Sequence, residues 1–381
     1  MARATTPGGI DELYAALDEI APELEATARE AETQRSAPKA LVEALRRARV
    51  PMSKVPRELG GYELLPAQQV GFFARIAYLN PTAGWLAFNQ SGAAGMLGAA
   101  LGEAGLEQVF ARDSPLLAAV STPTGRSQRV DDGVRVTGRW SYASGVETSD
   151  WTVLMTIAQD PPALLAVVVP SSALEIHDDW HVAALQGSGS VDVSLEDHFV
   201  PEALTLDPLV QQRGGKHYTS LGYKVYVAGE NVGFSLGVAQ RLVDEVAKLA
   251  RGKRRMLDPG TVGDRGAFQL ELGRSDLALR SAQALMESEL ERIVEIANAG
   301  DGPVPERELR RVEGALSHAT ETLVEAGVRL FPYAGAGALH LSSPIQRTLR
   351  DLIGSGQHFV ASNQQIEAWG GTLLEPARED A

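Results

Sequence analysis

Gly138-Arg139-Trp140-Ser141-Tyr142-Ala143-Ser144-Gly145 sets hydroxyls and one large indole at the end of a strand. An earlier segment, Ala118-Ala119-Val120-Ser121-Thr122-Pro123-Thr124-Gly125, has the same character: an apolar strand that closes on hydroxyls. Gly187-Ser188-Gly189-Ser190-Val191-Asp192-Val193 comes later, and Asp197-His198-Phe199-Val200-Pro201 ends the region. Around these segments, from residue 115 to about 207, β-branched alternation, glycines and short polar turns predict strands. Leu117 to Ser121, Val134 to Thr137, Trp151 to Ile157, Leu164 to Val169 and Val191 to Leu195 are the expected strands. Asp131-Asp132-Gly133 is the expected hairpin turn. Regular strands joined by short turns predict a small barrel or sandwich rather than alternating β-α units.

Helical periodicity lies on both sides. Leu13, Leu17, Ile20 and Leu24 recur at three- and four-residue spacing among acids, the pattern of an amphipathic helix. Ser36-Ala37-Pro38 opens a second helix with Leu41, Leu45 and Val50 on one face. Val55-Pro56-Arg57-Glu58-Leu59-Gly60-Gly61 breaks the pattern. Helix resumes over 66–112, through Phe72, Phe73 and Ile76 and then a small-residue stretch from Ser91 to Ala100. After Gly214-Gly215 the chain turns helical again, from about 225. Val238, Leu242, Val246 and Leu249 form one stripe, and Leu270, Leu277 and Leu285 another. A third helix covers about 305–331, and a fourth opens after Ser343-Pro344. The expected fold class is α+β in three parts: an N-terminal helical domain at 1–114, a middle β-domain at 115–214 and a C-terminal helical bundle at 215–381.

Of the 381 residues 44% are hydrophobic and 22% charged, which suits a soluble chain with one large core or two to three lobes. A net charge of −14 argues against a nucleic-acid face and against anionic membrane surfaces. The lack of cysteine removes disulfides, thiolate metal sites and cysteine nucleophiles together. No apolar run approaches the roughly 18–20 residues that span a bilayer, and the start lacks the apolar stretch of a signal peptide. A cytoplasmic protein is therefore expected. G-x-G-x-x-G, Walker A, G-x-S-x-G and H-E-x-x-H are missing, which weakens Rossmann, P-loop, serine-hydrolase and zincin readings. His177-Asp178-Asp179-Trp180-His181 has metal-ligand residue types, but in a loop that spacing does not put both rings on one face. No metal is expected.

The hydroxyl-bearing β-segments, together with Val55-Pro56 to Gly60-Gly61, resemble in order and spacing the acyl-CoA dehydrogenase superfamily across nearly the whole chain. The resemblance implies an N-terminal helical domain, a middle β-barrel or sandwich, a C-terminal four-helix bundle and a bound flavin. Hydroxyls and backbone amides at strand ends can bond the ring's N1, O2, O4 and N5. By resemblance Ser121, Thr122 and Ser144 face the isoalloxazine and Trp140 supplies an apolar wall; turn capping is the bland reading of the same hydroxyls. Arg265, within Gly263-Asp264-Arg265, sits where the family often presents an arginine to flavin phosphate from a neighbouring subunit. Arg254, Arg255 and Arg274 are nearby alternatives, and a surface salt bridge is an equal reading of each.

A typical dehydrogenase of this family carries a glutamate a few residues after an Arg-Asp pair, and that carboxylate removes the substrate's α-proton. Here Arg350-Asp351 is followed by no acid until Glu367, while His358 stands seven residues after Asp351. Glu230 occupies the other usual location for a dehydrogenase base. Gln357-His358 and Thr82-Ala83-Gly84-Trp85 resemble instead the flavin-dependent monooxygenase branch. Such two-component enzymes take reduced flavin, FADH2 or FMNH2, from a separate reductase and form a C4a-hydroperoxide with O2. The resemblance implies a small aromatic or polycyclic substrate and a homotetramer. It makes His358 the catalytic residue, with an unperturbed pKa of about 6.5 near operating pH, though a lone histidine often only bonds a backbone carbonyl. Ser144 is the candidate for the N5 hydrogen bond. Trp85 and Asn89 are candidates for the substrate pocket, with Gln90 the alternative to Asn89. A flavin dehydrogenase of acyl-CoA type and a non-catalytic ligand-binding homologue are the competing readings.

Overall fold

In the computed structural model, which describes residues 9–159, 161–254, 256, 259–300 and 302–375, the middle of the chain forms a seven-stranded mixed sheet. Its strands are β1 (Leu117–Val130), β2 (Gly133–Ala143), β3 (Trp151–Gln159), β4 (Ala163–Pro170), β5 (Glu175–His177), β6 (Val191–Pro201) and β7 (Thr205–Leu206). The spatial order is β5-β6-β2-β1-β3-β4-β7. Only β1 and β3 run parallel; every other neighbouring pair is antiparallel. β1 and β2 form the expected hairpin: Val130 pairs with Gly133 across Asp131 and Asp132, and Asp132 takes a left-handed φ of 61°.

Trp140 organises the sheet interior. It is fully buried, and its indole N–H donates to the Met155 carbonyl at 2.8 Å. Its ring lies against Gly125 and Gly138, where an added Cβ would meet ring carbons at 2.0 and 2.9 Å. Glycine at both positions is what lets the indole lie on the pleat.

Five helices precede the sheet: α1 (Ile10–Gln34), α2 (Lys39–Arg47), α3 (Pro66–Leu79), α4 (Pro81–Ala100) and α5 (Glu103–Val109). The α1 stripe of Leu13, Leu17, Ile20 and Leu24 is buried as its spacing predicts, as are Leu41, Leu45 and Val50. Arg46 of α2 forks onto the Asp150 carboxylate at 2.9 and 3.3 Å, and Asp150 also accepts the Leu116 N–H at 2.8 Å. That carboxylate thus fixes the starts of β1 and β3 together. After the sheet come α6 (Gly222–Tyr226), α7 (Ala228–Gly252), α8 (Gly266–Ala299), α9 (Glu306–Leu330), α10 (Pro344–Ser355) and α11 (Gln364–Leu374). No helix among the described residues is long and apolar enough to cross a membrane.

By packing, the chain divides into two units rather than three consecutive segments: residues 1–65 with 82–219, and 66–81 with 220–381. Helix α3 therefore groups with the C-terminal helices. The reason is a glycine ladder on α7. Added Cβ atoms at Gly229, Gly233 and Gly237 would lie 2.1, 2.6 and 2.1 Å from the carbonyl oxygens of Pro66, Val70 and Ala74. Glycine at every fourth residue clears one face of α7, so the α3 backbone lies directly on it.

The expected stripe on α8 is displaced. Leu270 and Leu277 are 56% and 64% exposed, while Phe268, Leu279, Ala282, Met286, Leu290 and Ile293 face inward. On the buried side Glu289 is bridged by Arg292 at 2.9 Å and by Arg311 of α9 at 2.6 Å, which ties the two helices together.

Candidate active site

The end of β2 builds the first part of the site. Tyr142 takes a left-handed φ of 69°, costly for a side chain with a Cβ, and Gly145 follows at 73°. The corner leaves Tyr142 exposed, edge-on to Trp180 with ring centroids 6.3 Å apart, and buries Ser144. Ser144 Oγ accepts the Trp85 indole N–H at 3.1 Å. It also lies 2.7 Å from Ser190 Oγ, which lies 2.6 Å from Ser188 Oγ. Gly145 N–H donates to the Ser188 carbonyl at 2.9 Å, pinning the two segments.

Hydrogen-bond capacity says what this chain of hydroxyls can do. A serine hydroxyl has one hydrogen and two lone pairs, and an indole N–H can only donate. Trp85 therefore fills one lone pair of Ser144, and Ser190 shares a second position. One position remains. If Ser144 donates to Ser190, that position is a lone pair; if the serine chain reverses, it is the hydrogen. Ser144 can present either polarity to a ligand.

Ser121 and Thr122 are exposed on β1. The ladder with β3 jumps from Val120↔Leu154 to Gly125↔Thr156, so Ser121 to Thr124 form a bulge outside that pairing, and β2 pairs only from Arg126 onward. Bulges of this kind re-aim side chains and interrupt pairing next to sites. Thr124 Oγ1 is held by the Arg139 carbonyl at 2.6 Å. Trp140 lies inside the sheet, as described.

Trp85 and Asn89 lie four residues apart on α4, and Asn89 Nδ2 donates back to the Trp85 carbonyl at 2.8 Å. Trp85 meets Phe88 edge-on, ring centroids 4.9 Å apart. Leu86 approaches the corner directly: a Cβ on Gly145 would meet its Cδ2 at 2.7 Å. In the loop singled out for metal-ligand residue types, the two histidines part company. His177 Nε2 bonds Ser194 Oγ at 2.9 Å, while Asp178 pairs with Arg35 at 2.8 Å and His181 lies against the same arginine.

His358, Arg265 and Glu230 belong to the second unit. His358 follows α10, its ring 4.9 Å from that of Phe359, which in turn stacks with Tyr223 at 6.1 Å. His358 is half-buried with Nδ1 shielded from solvent, and burial pushes its pKa down to about 4. At neutral pH His358 is an uncharged imidazole. Arg265 precedes α8, and no ion-pair or hydrogen-bond partner engages its side chain among the described residues. Of its alternatives, Arg274 lies 3.8 Å from Glu271, Arg254 lies near Asp264, and Arg255 falls outside the described residues. Glu230 is buried in the first turn of α7, between the glycines that press on α3.

His217, in the first unit, is a second buried histidine. Burial lowers its pKa to about 4, Glu63 opposes that shift and Lys54 adds to it. Both histidines bind a proton more readily unfolded, near pH 6.5, than folded. Stability is therefore greatest above about pH 6.5 and is lost as pH falls towards 4, with His217 alone contributing on the order of 3 kcal/mol. Urea midpoints measured from pH 7 to 4 should fall steeply in the wild type and less steeply in His217→Gln. Identical slopes would contradict this.

Ser188 and Ser190 carry no assigned role in the sequence reading, although their segment is singled out there. The available signal is the Ser-Gly-Ser spacing before β6, which returns two hydroxyls to one side of the chain.

Comparison with known proteins adds to this geometry. A family model described as "Acyl-CoA dehydrogenase, C-terminal domain" matches residues 231–363. An indole-3-acetate monooxygenase of Pseudomonas putida is 29% identical over 345 residues, 86% of this chain and 85% of its own. An FADH(2)-dependent resorcinol hydroxylase, oxygenase component, of Rhizobium sp. is 28% identical over 368 residues, 87% of this chain and 86% of its own. Among solved structures, XiaF from Streptomyces sp., in complex with FADH2 and glycerol, matches with a TM-score of 0.84 at 24% identity over 97% of each chain. At that identity the likeness concerns the fold.

Proposed function

We propose that the chain is a member of the flavin-dependent monooxygenase branch of the acyl-CoA dehydrogenase superfamily, the oxygenase component of a two-component enzyme that hydroxylates a small aromatic substrate. What carries the reading is likeness over most of the chain to monooxygenases that act on aromatic substrates, together with a half-buried histidine, His358, close to where the resemblance expects a dehydrogenase's carboxylate. Ser144 and the Ser121–Thr124 bulge would hold the flavin ring, and Arg265, with no ion pair among the described residues, its phosphate. The donor set suits a flavin, because N5 donates when reduced and accepts when oxidised, and Ser144 can answer either state.

Reduced flavin supplies two electrons with which O2 is split, one oxygen atom entering the substrate and the other leaving as water. The chain's own residues do the rest. Trp85 fixes Ser144 in position, and Ser144 holds the proton at N5. Trp85 and Phe88 keep water away with their ring faces, and Asn89 lines the substrate pocket beside them. His358 accepts a hydrogen bond from the substrate's acidic group on a ring nitrogen, making the aromatic ring more electron-rich at the moment of oxygen transfer. FADH2 and FMNH2 both fit these contacts, and a separate reductase supplies them. A homotetramer in the cytoplasm completes the proposal, and the outward leucines of α8 offer it an apolar face.

The test is to supply chemically reduced FAD or FMN under air with a panel of small aromatics that includes indole-3-acetate and resorcinol. Hydroxylated product that depends on both reduced flavin and O2 supports the proposal. Bleaching of bound oxidised FAD by an acyl-CoA, without hydroxylation, would instead point to a dehydrogenase using Glu230, and absence of flavin binding to a non-catalytic homologue.

A further inference from the structure

Between α10 and α11 the chain has little regular structure of its own. A single short turn, Phe359–Ala361, occupies it, and His358 opens that turn. Its local backbone bonds are few: Ala361 N–H donates to the His358 carbonyl and Gln365 N–H to the Ser362 carbonyl, both at 2.9 Å. A stretch with so few bonds of its own opens readily and does not fix the direction of a side chain. What holds it comes from other helices of the second unit.

Two of those ties lie at the backbone. Ser235 Oγ of α7 donates to Ser355 Oγ at 2.9 Å, and the Ser355 carbonyl accepts the His358 N–H at 3.3 Å. Ser317 Oγ of α9 donates to the Ser362 carbonyl at 2.8 Å. The remaining ties come from two consecutive side chains of the short helix α6. Tyr223 stacks with Phe359, ring planes 5° apart, and Phe359 in turn lies beside the imidazole. Lys224 Nζ donates to Gln365 Oε1 at 2.8 Å and lies 3.3 Å from the Glu313 carboxylate of α9. An ammonium has three hydrogens and can hold both acceptors at once. Gln365 is buried and the Glu313 side chain is 13% exposed, so water competes little for this charge-assisted pair of contacts. Helix α6 thus grips the segment beside His358 with one residue and at its far end with the next.

We propose that α6 is a clasp for the His358 segment, with Tyr223 and Lys224 as positioning residues that keep the imidazole turned in one direction. Tyr223 acts through Phe359, and Lys224 acts through Gln365 and Glu313. Neither takes part in the chemistry itself. The inference rests on the proposed role of His358 and adds to it the residues that hold it in place.

The experiment has two arms on the full-length protein. Amide hydrogen exchange without flavin reads the peptide 356–365, where Lys224→Met should speed exchange about tenfold while α8 is unchanged. Turnover is then measured in air with reduced FMN and the best-hydroxylated aromatic of the panel above. Lys224→Met should lower kcat about tenfold and leave KM within about twofold, the signature of a misplaced group rather than lost binding. Lys224→Arg, which keeps the charge and the donors, should restore both exchange and kcat. Tyr223→Leu, which keeps apolar bulk and loses the stacking ring, should behave like Lys224→Met and serves if that variant does not fold. Wild-type exchange in both Lys224→Met and Tyr223→Leu, faster exchange with wild-type kcat, or no rescue by Lys224→Arg overturns the proposal. A wild type that hydroxylates none of the aromatics counts against the oxygenase reading, and the exchange rates still decide whether α6 holds the segment.

Discussion

His358→Ala should reduce the rate of hydroxylation by about 100-fold or more while leaving flavin affinity within about twofold. General acid–base groups typically contribute on the order of 10²–10⁴ to rate, and His358 is the imidazole this reading makes responsible for the substrate's proton. Burial beside Phe359 lowers its pKa to about 4, so the ring stays uncharged throughout the neutral range and acts as a hydrogen-bond acceptor towards the substrate's acidic group rather than as a strong base. The measurement pairs turnover under saturating reduced flavin with a separate titration of flavin binding. A parallel loss of both would make His358 a residue that shapes the cofactor site, and unchanged turnover would leave it a packing residue after α10.

The second large effect concerns the packing of α3 on α7. Gly237→Val should destabilise the second unit by about 3–5 kcal/mol, because its side chain would be driven into the α3 backbone, with the Ala74 carbonyl oxygen 2.1 Å from the new Cβ. A fall in melting temperature of roughly 10 °C follows for a unit of this size. Gly252, at the end of the same helix, has nothing within 4 Å of an added Cβ. Gly252→Ala should accordingly melt at or slightly above the wild-type temperature. Calorimetry of the two variants separates close packing from a general dislike of substitution in α7, and equal melting temperatures would contradict the glycine ladder.

That ladder also shows where the sequence is readable and where it is not. Gly229, Gly233 and Gly237 stand at a regular four-residue spacing that predicts close approach on one face of α7, yet nothing local in α3 says that α3 is the helix that approaches. Texture along the chain therefore suggests three consecutive domains, whereas packing draws α3 away to the C-terminal helices. The main strands are legible because β3 and β4 are nearly continuous apolar runs buried on both faces, while β6 alternates over one buried face. β5 and β7 are too short to alternate, and the second half of β1 lies beyond the Ser121–Thr124 bulge, where the expected strand ends at Ser121. On α8 the leucine spacing of seven and eight residues is helical, but periodicity does not say which face lies inside.

The site follows the same logic. Ser144 is visible from its segment, and Trp85 from its own, but they are 59 residues apart and only the fold brings the indole N–H to the hydroxyl. Ser190 and Ser188 join them through a corner whose geometry depends on a left-handed Tyr142. Hydroxyls at strand ends announce a polar site; the order in which they bond to one another does not show in residue types.

The most direct measurement is isotopic. The enzyme is supplied with reduced flavin and ¹⁸O₂ in ordinary water, and the hydroxylated aromatic product is weighed by mass spectrometry. One ¹⁸O atom per product molecule, dependent on reduced flavin, is the predicted result. Product whose new oxygen comes from water, or substrate oxidised without gaining oxygen, would contradict the account.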